Sequence, residues 1–524
     1  MKHVAFFLMF LILMAACGAE TATEQPAFEP ESASVDEDPV KGIAWFDGGV
    51  DDAFAVAKET GKPVFLYWGA EWCPPCHAIS ATIFSKPEFI ERSKLFVPVY
   101  LDGDTENAQA LGEKFGVVGY PTMIVFSAAG EELTRIPGGI DIQAYGNILD
   151  TTLTASSSAR SLLERLMNGA DALSDRDCTL LAYHSWGQDL EINADFDLID
   201  GFRRMYDACP AVLEAERSIL YMSWLDELQD AASESGDRLE LSGEQRREAL
   251  DMLESILASP ALIRANIFRV VIDGAKYAAL LTDPGTEERA ALTQAFLETL
   301  DAIAADDSIY KRERIYTLVG KIRFERLDDE EATVSDDLQQ QIRDMVAWAD
   351  ESTPSVYERQ PVINALGNVL NEAGMDDVAR PLMTAELEKS KQPYYFMVDL
   401  ADIEQRAGNN DVALEWLRKA HDSTKGPATR FQWGYYYLNG LLEMTPDDTA
   451  KIHDTTVALV DELLQQSGGF HQRPKGQLKR LENKLVEWGA DQGEALTAIR
   501  QSVQSICEAM PARDVACEAF LERT

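Results

Sequence analysis

Two regimes of apolar and polar spacing follow one another along this chain. Up to about residue 153, short apolar runs recur between turn residues, the signature of strands. They are Pro63-Val64-Phe65-Leu66-Tyr67-Trp68, Leu95-Phe96-Val97-Pro98-Val99-Tyr100-Leu101, Met123–Ser127 and Leu133–Ile136. Gly130 predicts a hairpin between the last two. The intervening segments carry helical spacing. Trp45 to Thr60 predicts a first helix with Phe54, Val56 and Ala57 on its apolar side, ended by Gly61-Lys62-Pro63. A second helix is predicted to start at Cys73, and a third to run from Thr105 to Phe115, capped by Asp104 or Thr105. A last helix follows Asp141. Strands interleaved with helices in this order predict an α/β unit over residues 42–153.

From Ala155 onward strand-like runs become scarce. Stretches rich in Leu, Ala, Glu, Asp, Gln and Arg take over, with Leu162, Leu163 and Leu166, or Leu250, Leu253, Ile256 and Leu257, at helical spacing. Residues 155–524 are therefore expected to be all α, with more than ten helices. That length exceeds one ordinary core, so a stacked array is the expected form. The array divides into 155–355, which shows no clean period, and 356–524, which does. Glu372-Ala373-Gly374-Met375-Asp376-Asp377-Val378-Ala379 aligns with Arg406-Ala407-Gly408-Asn409-Asn410-Asp411-Val412-Ala413 at an offset of 34 residues, and Leu366 falls on Leu400. Two units are read from Val362 to Ala420, with an extension from Thr429 to Gln466. Thirty-four residues is the tetratricopeptide period, and Ala-Gly-x-x-x-x-Ala resembles the turn between its two helices. Phe431, Trp433, Tyr435, Tyr436 and Tyr437 cluster just beyond; packing between helices is the expected role, peptide binding the alternative.

Charge narrows the partners. The formal net charge of −42 argues against nucleic acid or an anionic membrane surface. The acids are spread through the helices, which reads as a solvated surface. No phosphate loop, Gly-x-Ser-x-Gly elbow, His-Glu-x-x-His or complete calcium loop is present, and no metal site is expected. His184, His421, His453 and His471 are scattered and read as surface or packing residues.

The candidate chemistry lies in Trp72-Cys73-Pro74-Pro75-Cys76-His77. A cysteine where a strand runs into a helix meets unpaired backbone N–H groups and the positive end of the helix dipole, which favour its thiolate. Cys73 would attack a disulfide and Cys76, one turn on, would resolve the mixed disulfide. Two other readings compete. Zinc needs about two further ligands nearby, and only His77 is close. Cys73-Pro74-Pro75-Cys76-His77 is also the C-x-x-C-H pattern of c-type haem attachment.

About 45 residues downstream comes Gly119-Tyr120-Pro121-Thr122 and the apolar run Met123-Ile124-Val125-Phe126. Trp-Cys-x-x-Cys followed by Pro-Thr and a strand resembles the thioredoxin superfamily, with its nearest likeness to the C-terminal domain of DsbD and periplasmic disulfide reductases. The resemblance covers residues 42–153. It implies a cis bond before Pro121, placed against the sulfurs, a substrate groove flanked by Trp72, and an incoming peptide paired to the Tyr120 backbone. It also implies a redox dithiol without further cofactor. One departure stands out: the buried aspartate that many thioredoxins carry before the first cysteine is replaced by Tyr67. Glu71 or a residue such as Asp102 would have to take over its proton-transfer role.

Residues 1–17 read as a targeting segment: Lys2 and His3, an apolar run from Val4 to Met14, then Ala15-Ala16-Cys17. The run is shorter than a transmembrane span. Small residues before a cysteine resemble the bacterial lipoprotein signal, which implies lipidation of Cys17; Met14 in place of leucine leaves ordinary secretory cleavage open. Gly18 after the cysteine implies, by resemblance to the enteric sorting rule, the outer membrane. Residues 18–41, rich in Glu, Ala, Ser and Pro, read as a disordered acidic tether. In an exported chain the remaining cysteines are expected to form structural disulfides, and proximity favours Cys178–Cys209 and Cys507–Cys517.

The expected protein is thus a lipid-anchored thiol–disulfide oxidoreductase of the bacterial envelope, of reductase or isomerase type, facing the periplasm. Its partners would be protein thiols and disulfides, an unidentified envelope electron donor, and a peptide or protein client on the helical region. The rival expectation is a helical scaffold with an accessory thioredoxin-like domain.

Overall fold

A computed structural model describes residues 42–235, 240–425, 427–464 and 472–509, together with Cys517 and Phe520. The targeting segment, Cys17, the acidic tether, His471 and the end of the repeat extension at Gln466 lie outside the described residues.

Four strands form one mixed sheet in the order β2-β1-β3-β4, with β1 Val64–Gly69, β2 Val97–Asp102, β3 Thr122–Phe126 and β4 Glu132–Ile136. β1 pairs parallel with β2, Tyr67 opposite Tyr100, and antiparallel with β3, Tyr67 opposite Met123. Every residue of β1 is buried because both faces of the sheet are covered. Val64, Leu66 and Trp68 face one core with Ala53, Ala57 and Ala108; Phe65 and Tyr67 face the other with Ile79, Phe84 and Tyr145.

The helices of this part are α1 Val50–Thr60, α2 Pro74–Ile79, α3 Pro87–Ser93, α4 Glu106–Lys114 and α5 Ile142–Thr152. α1 starts later than the apolar spacing predicts. Trp45 leaves the helix to stack on Tyr67 at 5.9 Å and meet Phe84 at 6.0 Å, and Gly49 becomes the cap before Asp51 and Asp52. Thr105 caps α4, its hydroxyl accepting from Ala108 N–H at 3.3 Å. The hairpin turns at Gly130, where φ is 91°.

Beyond α5 every described element is helical. The core that holds Phe65 and Tyr67 continues without a break through Leu162, Leu163, Leu166, Phe202, Tyr277 and Phe296 to Phe324. The sheet and the first helices of the array therefore share one apolar interior. Next come antiparallel helix pairs: Val356–Ala373 with Asp376–Lys389, Tyr394–Arg406 with Asn410–Ser423, Pro427–Met444 with Thr449–Leu464, and Gln472–Gly489 with Gly493–Glu508. The 34-residue offset has a direct physical meaning here. Gly374 and Gly408 adopt left-handed φ of 70° and 76° and turn the chain between paired helices, while Ala379 and Ala413 each pack inward five residues later.

Candidate functional site around Cys73 and Cys76

β1 ends at Gly69, and the Cys73 N–H turns back to the Ala70 carbonyl at 3.1 Å. Cys73 is the N-cap of α2 in extended conformation, and Pro74 and Pro75 occupy the first helical turn, where a missing N–H costs no bond. The Cys76 N–H points at Cys73 Sγ, 3.1 Å away. The two cysteines are joined as a disulfide with Cα atoms 5.2 Å apart. Past Ile79 the helix widens into one π turn, Ser80–Phe84, a distortion common beside functional sites. His77 is held back from the sulfurs, with Nε2 2.6 Å from the Glu71 carbonyl.

Both cysteines are only 2% exposed, so the pair does not lie on an open surface. The helical array covers it. Ala70, Trp72, Cys73 and Cys76 form a small buried cluster with Tyr394, Ala420 and Trp433. Gln360 Nε2 reaches the Trp72 carbonyl at 3.4 Å, and Tyr357 packs against His77 with ring centroids 5.7 Å apart.

Trp72 and Tyr120 line one cleft with Cys73, and Pro121 follows Tyr120. The Tyr120–Pro121 bond is cis. The Trp72 and Tyr120 rings lie 5.9 Å apart, and Gln109 Nε2 donates to the Tyr120 hydroxyl at 2.9 Å. Gly103 leaves the space that the Tyr120 ring fills. Behind the proline, Gln188 of the array donates to the Pro121 carbonyl at 3.1 Å.

One carboxylate near the dithiol escapes a reading of spacing and motif. Asp104, just past β2, accepts from Trp72 Nε1 at 2.8 Å and from the Thr429 hydroxyl at 2.7 Å. Burial pushes its carboxyl up; the bond from Thr429 pulls it down, nearby Asp102 adds to the rise, and the bond from Trp72 again lowers it. Glu71 is exposed, and Asp102 spends Oδ1 on the Asp104 N–H at 3.1 Å. In the sequence Asp104 stood out only as a candidate cap of α4, a role that Thr105 takes.

The other described cysteines lie in other cores than this site. Cys178 joins Cys209 with Cα atoms 5.4 Å apart, and Cys507 joins Cys517 at 5.8 Å. His184 is buried beside Asp189, Nε2 to Oδ2 3.2 Å; His421 lies 3.8 Å from Glu462; and His453 contacts Ser502 at 2.9 Å. Among the described residues no group of three His, Cys, Asp or Glu is placed to hold a metal ion, and no helix is long and apolar enough to cross a membrane.

Comparison with known proteins reaches the same region. A family model described as a thioredoxin-like domain matches residues 50–153. Thioredoxin H4 of Arabidopsis thaliana is 34% identical over 92 residues, which cover 71% of that protein and 17% of this chain. The chain belongs to the thioredoxin-like family. Two bacterial relatives match the same part: the thiol:disulfide interchange protein DsbD of Cronobacter sakazakii, 37% identical over 105 residues, and DsbD 1 of Pseudomonas aeruginosa, 30% identical over 96. These matches span 19% and 18% of this chain but only 18% and 16% of the relatives. The thioredoxin-like domain here thus keeps its dithiol and cis-proline and adds a helical array that closes over them.

Proposed function

We propose that this protein is a thiol–disulfide oxidoreductase that acts on protein disulfides through Cys73 and Cys76, with the helical array recruiting and positioning the client. The observation that carries the reading is the Cys76 N–H held 3.1 Å from Cys73 Sγ at a helix start. A backbone donor aimed at the sulfur favours its thiolate over the thiol.

In the reducing direction the Cys73 thiolate attacks one sulfur of a client disulfide. A Cys73–client disulfide forms, and the client's other sulfur leaves as a thiolate that takes a proton from solvent. Cys76, after giving up its proton, attacks Cys73 Sγ, frees the second client thiolate and closes the Cys73–Cys76 disulfide. Two electrons have passed to the client, and a dithiol reductant must return them. The reverse sequence oxidises a client dithiol. Trp72, Tyr120 and Pro121 shape the groove in which the client sulfur lies.

The haem alternative draws no support from the geometry, since His77 is turned onto Glu71 and the cysteines are bonded to each other. The envelope location, the lipid on Cys17, the tetratricopeptide character of the helix pairs and an envelope electron donor belong to this proposal through the sequence. Burial of the dithiol under the array favours a working union of the two parts over a scaffold with an idle appendage. The test is insulin reduction under a dithiol reductant by the full chain and its Cys73→Ser variant. Activity confined to the unsubstituted protein supports the proposal; equal, negligible rates in both overturn it.

A further inference from the structure

The helical array meets the sheet domain in two ways. Its first helices share the domain's core: Phe65 and Tyr67 lie in one apolar interior with Leu163, Phe202 and Phe296. Helices Tyr394–Arg406, Asn410–Ser423 and Pro427–Met444 meet the domain through a satellite cluster, in which Tyr394, Ala420 and Trp433 close over Ala70, Trp72, Cys73 and Cys76. None of these buried residues belongs to the larger cores. The Thr429–Asp104 bond and the reach of Gln360 Nε2 to the Trp72 carbonyl, 3.4 Å, add to the contact. A small apolar cluster with a few polar bonds opens at far lower cost than a shared core.

What lies beneath this cover changes character with redox state. As a disulfide the pair is neutral, and apolar surroundings suit it. As a dithiol it carries a thiolate, which apolar burial penalises. The cover does not offset that penalty. Trp433 Nε1 has no hydrogen-bond partner, so it gives neither sulfur a bond. Asp104, bonded to Trp72 of the same cluster, repels a second negative charge when it is ionised. Arg480 lines the cleft of about 740 Å³ that reaches Cys73, but it is exposed and its charge is screened by water. The Cys76 N–H serves Cys73 Sγ from within the domain, whether the cover is closed or open.

We infer that helices Tyr394–Arg406, Asn410–Ser423 and Pro427–Met444 form a redox-gated cover, closed over the Cys73–Cys76 disulfide and released by its reduction. The inference rests on the dithiol reading above and adds the regulation of that site. Reduction by a dithiol such as dithiothreitol breaks the Cys73–Cys76 bond, passes two electrons to its sulfurs and closes the reductant into a cyclic disulfide. One of the reductant's protons goes to Cys76, and the other goes to solvent when Cys73 stays a thiolate. The cover thus frees Cys73 while it holds the electrons a client needs, and shields the disulfide once they are gone. Linkage makes the coupling reciprocal: a cover that prefers the disulfide opposes reduction by the same factor by which reduction loosens the cover.

The test compares full-length protein, oxidised, with the same protein reduced by dithiothreitol and freed of it, by hydroxyl-radical footprinting read residue by residue. Trp433 and Tyr394 are 2% and 8% exposed under the closed cover. Their modification is expected to rise about fivefold on reduction, the lower end of ordinary coupling between sites. Phe202 and Trp224 in the shared core should stay unchanged. In Cys73→Ala combined with Cys76→Ala no thiolate can form beneath the cover. The same treatment, which also reaches the Cys178–Cys209 and Cys507–Cys517 disulfides, should then leave Trp433 and Tyr394 protected. Trp433→Ala removes the cover's largest side chain and should shift the equilibrium with dithiothreitol about tenfold toward the reduced protein. Thr429→Val, a milder change, should shift it the same way by about fivefold. Indistinguishable footprints in the two redox states overturn the inference and leave the dithiol reading intact. A rise that persists without Cys73 and Cys76, or an equilibrium unmoved in both single variants, overturns it as well. A Cys73–Cys76 pair that dithiothreitol fails to reduce would instead remove the dithiol reading itself.

Discussion

Asp104 and Thr429 stand 325 positions apart in the chain, yet the Thr429 hydroxyl lies 2.7 and 2.8 Å from the two Asp104 carboxylate oxygens. Trp72 Nε1 donates to the same carboxylate, so the residue before the dithiol is tied through one acid to the helical array. Thr429→Val keeps the shape and removes the hydroxyl. A loss of about 1 kcal/mol is expected, the ordinary net worth of such a bond. Faster alkylation of reduced Cys73 by iodoacetamide should accompany it if this contact helps hold the array over the sulfurs; an unchanged alkylation rate would show the contact to be structural only.

Trapping is the next expectation. In Cys76→Ala the resolving sulfur is gone, so the Cys73–client disulfide should accumulate and survive non-reducing electrophoresis. In Cys73→Ser no such adduct should form. Adducts of equal yield in both variants would assign the attacking thiol elsewhere.

Gly103 leaves room for the Tyr120 ring. Gly103→Ala would place a methyl group inside that ring's contact radius, and overpacking of this kind costs about 1–3 kcal/mol. The ring must shift from its place beside Trp72, so peptide-disulfide reduction should fall together with the melting temperature. An unshifted melting curve would mean that the turn relaxes without cost.

Acidity enters through Asp399, in the helical array. Burial pushes its carboxyl up from 3.8 to about 7, with Asp402 adding to the rise and Arg406 opposing it, and its Oδ2 has no partner. The unfolded chain releases this proton near the ordinary carboxylate value, whereas the native state keeps it until about pH 7. The unfolded state therefore binds fewer protons across that interval, and this group lowers stability as pH rises from about 4 to 7, levelling off above. Asp399→Asn should flatten that slope and raise stability at pH 8 by on the order of 2–4 kcal/mol, read from urea unfolding at several pH values. Parallel pH profiles in both proteins would refute the assignment.

The Cys178–Cys209 bond closes a loop of sequence separation 31 between two buried cysteines. Chain-entropy arguments put the cost of opening such a loop at about 3–4 kcal/mol. The Cys178→Ala, Cys209→Ala pair should show a loss of that size in denaturant unfolding while still reducing hydroxyethyl disulfide. Equal stability would mean that packing alone holds these helices.

Much of the thioredoxin-like part was legible because its signals are local. The continuous apolar run of β1, the prolines after Cys73, the Thr105 cap and the Gly130 turn each act within a few residues. Trp45 shows the limit: its helical spacing was overridden by stacking on Tyr67. The stretch 155–355 hid its order for a related reason. Its helices are of uneven length, broken by a π turn at Arg269–Asp273, and they pack into the core of the sheet instead of repeating one interface. Tyr435 and Tyr436 fell between the two roles weighed for them, since one is buried, the other exposed, and both line the cleft.

By itself the chain's order of residues determined the dithiol at a helix start, the strand and helix order around it, and the matching turns at Gly374 and Gly408. Each depends on neighbours within one or two turns. Only the tertiary structure decided that the pair lies under the array and that Asp104 links Trp72 to Thr429. Those relations join residues hundreds of positions apart, through hydrogen bonds and burial that no local pattern encodes.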